Sequence, residues 1–114
     1  MNPNQIPSIT LDGLPEGAHI LDVREDFEWA AGHVEGAVHV PMNDVPNRVS
    51  YEPDLLANDR TTYVICAMGG RSGQVTAWLV QNGHDAVNVA GGMHAWADSG
   101  RPMVSDTGRP ATVA

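Results

Sequence analysis

The chain has 114 residues, 42% of them hydrophobic, and carries 14 acidic residues against 6 cations, all arginine, for a net charge of −8. This length suits one domain with a core of its own. The acidity, with no Lys or Arg run, argues against nucleic acid as a partner, and the single cysteine excludes an internal disulfide and a four-cysteine zinc site.

Residues 1–7 are polar with two prolines and are expected as a flexible lead-in, followed by a short strand over Ser8-Ile9-Thr10-Leu11. Leu14-Pro15-Glu16-Gly17 marks a turn. Ala18-His19-Ile20-Leu21-Asp22-Val23 predicts a buried strand, and the stretch after Arg24 predicts a short helix. In that helix Glu25, Asp26 and Glu28 form a solvated first turn, Phe27, Ala30 and Ala31 share a face, and Gly32 ends it. Val34 to Pro41 turns into another short strand. Met42 to Val49 predicts a helix with Met42, Val45 and Val49 on one face, and Tyr51 to Asp59 a helical turn and loop.

Thr61-Thr62-Tyr63-Val64-Ile65 is a β-branched, apolar strand that runs into the only cysteine, Cys66. After Cys66-Ala67-Met68-Gly69-Gly70-Arg71-Ser72 comes a helix with Val75, Trp78 and Leu79 at i, i+3 and i+4, stopped by Asn82-Gly83. Asp85 to Val89 predicts the last strand, Gly91-Gly92 a tight turn, and Met93 to Ala97 a final helix ended by Ser99-Gly100-Arg101-Pro102. Residues 105–114 show no periodicity and are expected as a flexible tail. Strands alternating with helices imply a parallel α/β sheet covered on both faces, whose ligands bind beyond the carboxyl ends of the strands, where Cys66 falls.

A thiol at a strand end, before a glycine-containing loop and a helix N-terminus, faces inward-pointing N–H groups that favour its anion. Such surroundings lower a thiol from its usual ~8.5 and make it nucleophilic at neutral pH. Cys66 is therefore the candidate nucleophile, expected in an open loop with Arg71 as the cation beside it. The alternative is an inert strand-end cysteine. No side chain is placed as a dedicated general base. The five histidines lack metal-ligand spacing, so no metal or cofactor is expected. Trp29, Trp78 and Trp96 are expected as packing anchors. No signal segment or run long enough to span a membrane is evident, and a reduced thiol suggests the cytoplasm. A monomer is expected.

Three stretches resemble the rhodanese domain. The first is Leu21-Asp22-Val23-Arg24-Glu25 with Glu28-Trp29 and Gly32-His33-Val34-Glu35-Gly36-Ala37. The second is the loop from Cys66 to Ser72, which fits C-x-x-G-x-R-[ST]. The third runs from Gly91-Gly92-Met93-His94-Ala95-Trp96 to Gly100-Arg101-Pro102. The resemblance implies a rhodanese-like three-layer α/β/α domain over 8–104, with a five-stranded parallel sheet and helices on both faces. It implies a sulfurtransferase in which Cys66 takes sulfur from an anionic donor such as thiosulfate and passes it, as a persulfide, to cyanide, a thiol or a protein acceptor. Residues 67–72 (Ala67, Met68, Gly69, Gly70, Arg71, Ser72) would supply the binding loop, with Arg71 helping to hold the donor. Asp22, Arg24 and His33 are expected to be structural: an ion pair at the strand end and a loop-fixing histidine. Ala67 and Met68 add no charge to the loop, unlike the basic residues of some thiosulfate-using relatives. Two further readings remain. One is a non-catalytic or partner-dependent interaction or sulfur-relay module. The other is a phosphatase or arsenate reductase of the same fold, which would need C-x5-R where this chain has C-x4-R.

Overall fold

The computed structural model describes residues 6–114; most of the expected lead-in, residues 1–5, lies outside the described residues. Five strands, β1 (Ser8–Ile9), β2 (His19–Asp22), β3 (Val38–His39), β4 (Thr62–Ile65) and β5 (Ala86–Val89), form one sheet in the order β1-β5-β4-β2-β3. Every pairing is parallel. Four helices connect or follow them: α1 (Asp26–Ala31), α2 (Val45–Tyr51), α3 (Gly70–Gln81) and α4 (Gly92–Asp98).

Side chains alternate across the strands and divide the core in two. Leu21, Val23, Val64 and Cys66 face one way, against Val45 and Val49 of α2 and Val75 and Leu79 of α3. Ile20, Ile65 and Val89 face the other way, against Met93 and Trp96 of α4. The central strands read as continuous apolar runs because both faces are covered. The outer strands β1 and β3 are two residues each. The first ends where Leu11–Gly13 tightens into a 3-10 turn.

Two local expectations change. Met42 to Val49 is not one helix: Met42–Asp44 forms a 3-10 turn, and α2 starts at Val45 with Pro46 in its first turn, where a missing N–H costs nothing. In α1 the apolar face does not lead. Phe27 is 68% exposed, while Glu28, read as solvated, is only 6% exposed. The reason is electrostatic: Glu28 is drawn inward to Arg71, as described below.

Gly32 ends α1, but its φ of 175° is ordinary extended backbone. Its necessity is steric. A Cβ there would strike the Thr112 carbonyl and lie 2.6 Å from Met103 Cε. Residues 105–114 carry no regular element, yet the Asp106 and Thr112 amides donate to the Ala30 and Ala31 carbonyls, each at 2.9 Å, so the segment crosses directly over Gly32. Gly32→Ala should therefore push this segment off α1 and cost about 1–3 kcal/mol of stability. Denaturant unfolding and faster hydrogen exchange at the Thr112 amide test this; unchanged exchange would contradict it.

Candidate active site

The site is built at the carboxyl ends of β2 and β4. Ile65 ends β4, and Gly69, at φ +114°, caps α3 in a left-handed conformation open chiefly to glycine. That turn aims the Gly69 amide at Cys66, to which it donates at N···Sγ 3.0 Å. Ser72, buried in the first turn of α3, places its hydroxyl 3.2 Å from the same sulfur. Burial pushes the Cys66 thiol up. The Ser72 hydroxyl and the amides of Ser72, Gly69 and Met68 pull it down and prevail, leaving it below the ordinary thiol range.

The loop is closed rather than open. Cys66 is 1% exposed and packs among the residues of the α2–α3 core face. Donors that stabilise a thiolate must approach to about 3 Å, so the loop folds down over the sulfur it solvates. Apolar side chains lie on one side of the sulfur and N–H and O–H donors on the other.

The loop's carbonyls are tied off from behind by α4. Met93 N–H donates to the Cys66 carbonyl at 2.8 Å and His94 N–H to that of Ala67 at 3.0 Å. With these carbonyls turned toward α4, the loop's amides are free to face the sulfur. Gly92, at φ +54°, permits this approach, because a Cβ there would fall against the Cys66 carbonyl. The Gly91-Gly92 pair, a turn in the sequence, is thus the seat of the loop.

Ser72 Oγ also lies 2.6 Å from Asn88 Oδ1, and Asn88 Nδ2 reaches Ser8 Oγ at 3.4 Å. A serine carries one hydroxyl proton. A protonated Cys66 can donate to Ser72 while Ser72 donates to Asn88; an ionised Cys66 instead accepts the hydrogen bond of the Ser72 hydroxyl. Ser72→Ala should raise the Cys66 thiol toward its ordinary range. Alkylation by iodoacetamide at about pH 6 should then slow by about tenfold, the loss of one hydrogen bond to an ion. An unshifted alkylation–pH curve would refute the role given to Ser72.

Arg71, expected as the cation beside the thiol, is paired with a carboxylate. Its two terminal nitrogens donate to the Glu28 carboxylate at 2.6 and 2.9 Å. Glu28 also accepts the Glu25 amide at 3.0 Å, closing a capping box at the start of α1. The Arg71 hydrogen bonds hold the Glu28 carboxyl below its usual range against the cost of burial.

Asp22 and Arg24 pair in the interior, both with 0% exposure, at 2.8 Å between Asp22 Oδ2 and an Arg24 terminal nitrogen. Arg24 also donates to the Gly32 carbonyl at 2.7 Å. This satisfies a buried pair that would otherwise be costly and ties the end of β2 to the end of α1. Arg24 also reaches the Glu28 backbone carbonyl at 3.4 Å. His33 Nδ1 bonds the Trp29 carbonyl at 2.7 Å, and its ring stacks on Trp29 at 3.7 Å between centroids. His39 approaches the same indole at 4.7 Å. Trp29 is therefore held between two imidazoles, Trp78 lies partly buried against the α2–α3 face, and Trp96 is buried against the α4 face. Among the described residues no group of three His, Cys, Asp or Glu side chains is placed to hold a metal ion, and no helix is long and apolar enough to cross a membrane.

Sequence reasoning missed Glu28 and Asn88. The signal for Glu28 is its place three residues after Glu25, the spacing of a capping box. For Asn88 it is a polar amide inside Ala86-Val87-Asn88-Val89, where strands disfavour one unless it is hydrogen-bonded.

Comparison with known proteins finds a matching family model, "Rhodanese-like domain", over residues 9–99. A protein of Allochromatium vinosum named "Sulfurtransferase" is 37% identical over 94 residues, covering 82% of this chain and 84% of its own. "Thiosulfate sulfurtransferase 16, chloroplastic" of Arabidopsis thaliana is 36% identical over 104 residues, covering 83% and 87%. Among solved structures, a rhodanese-like domain protein from Staphylococcus aureus superposes with a TM-score of 0.71 at 35% identity, covering 94% of this chain and 99% of that one.

Proposed function

The chain belongs to the rhodanese-like domain family, and from that premise we propose that it is a sulfurtransferase which carries sulfane sulfur as a persulfide on Cys66. The observation that carries the reading is the sulfur itself. It is the chain's only thiol, it lies at the carboxyl end of β4, and it is held below the ordinary thiol range by the Gly69 amide and the Ser72 hydroxyl.

The chemistry follows from that placement. The Cys66 thiolate attacks the outer sulfur of a donor; the donor's S–S bond breaks and its remainder leaves with the bonding pair. The new outer sulfur carries negative charge, which the loop's amides and the N-terminus of α3 stabilise. A thiol or cyanide then attacks that sulfur and restores the Cys66 thiolate. Two half-reactions through one covalent enzyme form give ping-pong kinetics. No general base is required, because the loop prepares the nucleophile.

The burial of Cys66 favours a second, narrower reading, in which the loop admits sulfur only when a partner protein docks on it. Loading the purified chain alone separates the two. Treatment with thiosulfate or glutathione persulfide should add one sulfur, ~32 Da, to the intact mass, and cyanide should remove it. No addition from any donor to the isolated chain would leave only the partner-dependent module.

A further inference from the structure

We propose that Glu28 determines donor specificity: by neutralising Arg71 it directs the site toward a thiol-borne persulfide and away from a dianionic donor such as thiosulfate. This deepens the sulfurtransferase reading and rests on it.

Between Cys66 and Ser72 the sequence holds a single cation, Arg71. Both its terminal nitrogens are on Glu28; the Glu28 side chain is 8% exposed and that of Arg71 32%, so solvent screens the pair only from the arginine side. The amide of Glu25 fixes Glu28 in place. Arg71 is near enough for the charge on Cys66 to act on it, so the converse holds: cancelling Arg71 removes positive potential from the sulfur's surroundings. What remains is the ring of donors already directed at Sγ, on a chain of net charge −8. Two negative charges on an incoming donor meet no free counter-charge there. The sulfur group of a hydropersulfide, neutral or singly charged, meets far less opposition, and the other charges of a donor such as glutathione persulfide lie on its organic body, several bonds from the reacting sulfur. Met68 on the loop is 74% exposed and offers apolar surface that an organic body can touch, whereas thiosulfate has no carbon to place against it.

The transfer balances without a further reagent. Cys66–S⁻ attacks the outer sulfur of R–S–SH, the donor's S–S bond breaks, R–S⁻ departs with the bonding pair, and Cys66–S–SH remains. The sulfane sulfur changes partners with no net oxidation.

The test compares glutathione persulfide and thiosulfate as donors to the wild type, Glu28→Gln, Arg71→Ala and the double variant, with thermal melts to confirm folding. Glutamine retains an oxygen for the Glu25 amide, so α1 keeps its cap. The wild type should load from the persulfide with kcat/KM at least about tenfold above thiosulfate. Glu28→Gln should lower the thiosulfate KM about tenfold and leave the persulfide KM within about twofold. Arg71→Ala, which strands the Glu28 charge, should raise the thiosulfate KM, and the double variant should return it to the wild-type value. A thiosulfate KM indifferent to Glu28→Gln, a double variant as poor as Arg71→Ala, or a wild type that prefers thiosulfate would overturn the proposal while leaving sulfur transfer intact. Failure of the wild type to load from either donor would instead overturn sulfur transfer by the isolated chain, and the proposal with it.

Discussion

Cys66→Ser is expected to abolish sulfur loading and transfer while leaving the fold intact. Serine differs from cysteine by one atom, so the Gly69 amide and the Ser72 hydroxyl still find an acceptor at that position. Stability should change by about 1 kcal/mol or less at neutral pH. The chemistry does not survive the exchange. An alcohol stays protonated near neutrality even inside this ring of donors, and its oxygen is a poor nucleophile toward sulfane sulfur. Because no second cysteine can substitute, any sulfur found on the variant's intact mass would refute the assignment.

The same variant reports the electrostatics of the resting site. The Cys66 thiol titrates lower in the folded chain than in the unfolded one. Its contribution to stability is therefore complete above the unfolded value, about 8.5, and is lost as pH falls through the folded value. Wild-type stability should decline across that window by more than that of Cys66→Ser, which has no thiolate to protonate. Parallel unfolding free energies for the two proteins between about pH 9 and pH 5 would show that the loop does not stabilise the anion.

The parts of the molecule that can be read from sequence are those whose signal is local. β2, β4 and β5 announce themselves as apolar runs because a parallel sheet covered on both faces needs apolar side chains on both. The 12-residue α3 has its buried Val75 and Leu79 at i and i+4. The turn at Cys66 is equally plain, since a strand, a short loop with two glycines and a helix follow one another within a few residues. What escaped notice depends on residues far apart in the chain. Glu28 and Arg71 are 43 positions apart; the capping-box spacing from Glu25 marks Glu28 as fixed at the start of α1, but nothing local pairs it with Arg71. Ser72 and Asn88 are 16 apart, on different elements. The closure of the loop over Cys66 also depends on α4, whose amides hold its carbonyls from beyond α3 and β5. The resemblance to a family quoted Glu28, Arg71 and Ser72 without saying which of them touch, and it did not include Asn88.

That dependence on α4 sets up the most damaging substitution outside the thiol itself. Gly92→Ala is expected to cost about 2–4 kcal/mol of stability and most of the activity. Two penalties combine. At φ +54° an L-residue other than glycine is strained by about 1–2 kcal/mol, and the added Cβ would be driven into the Cys66 carbonyl and lie 2.6 Å from the Ala67 carbonyl. Both are backbone atoms, so no rotamer change relieves the contact. Either α4 retreats, breaking the bonds from Met93 and His94, or the loop does, and its amides leave the sulfur. Gly36→Ala separates the two penalties. Gly36 has φ +85°, and a Cβ there meets nothing within 4 Å, so it carries the backbone strain without the collision. It should lose about 1 kcal/mol and keep both its activity and its Cys66 alkylation–pH curve. In Gly92→Ala that curve should move to higher pH, because the displaced amides no longer hold the thiolate. Equal effects of the two alanines on stability and on the curve would mean that α4 does not seat the loop, and that the thiol is prepared by the α3 turn alone.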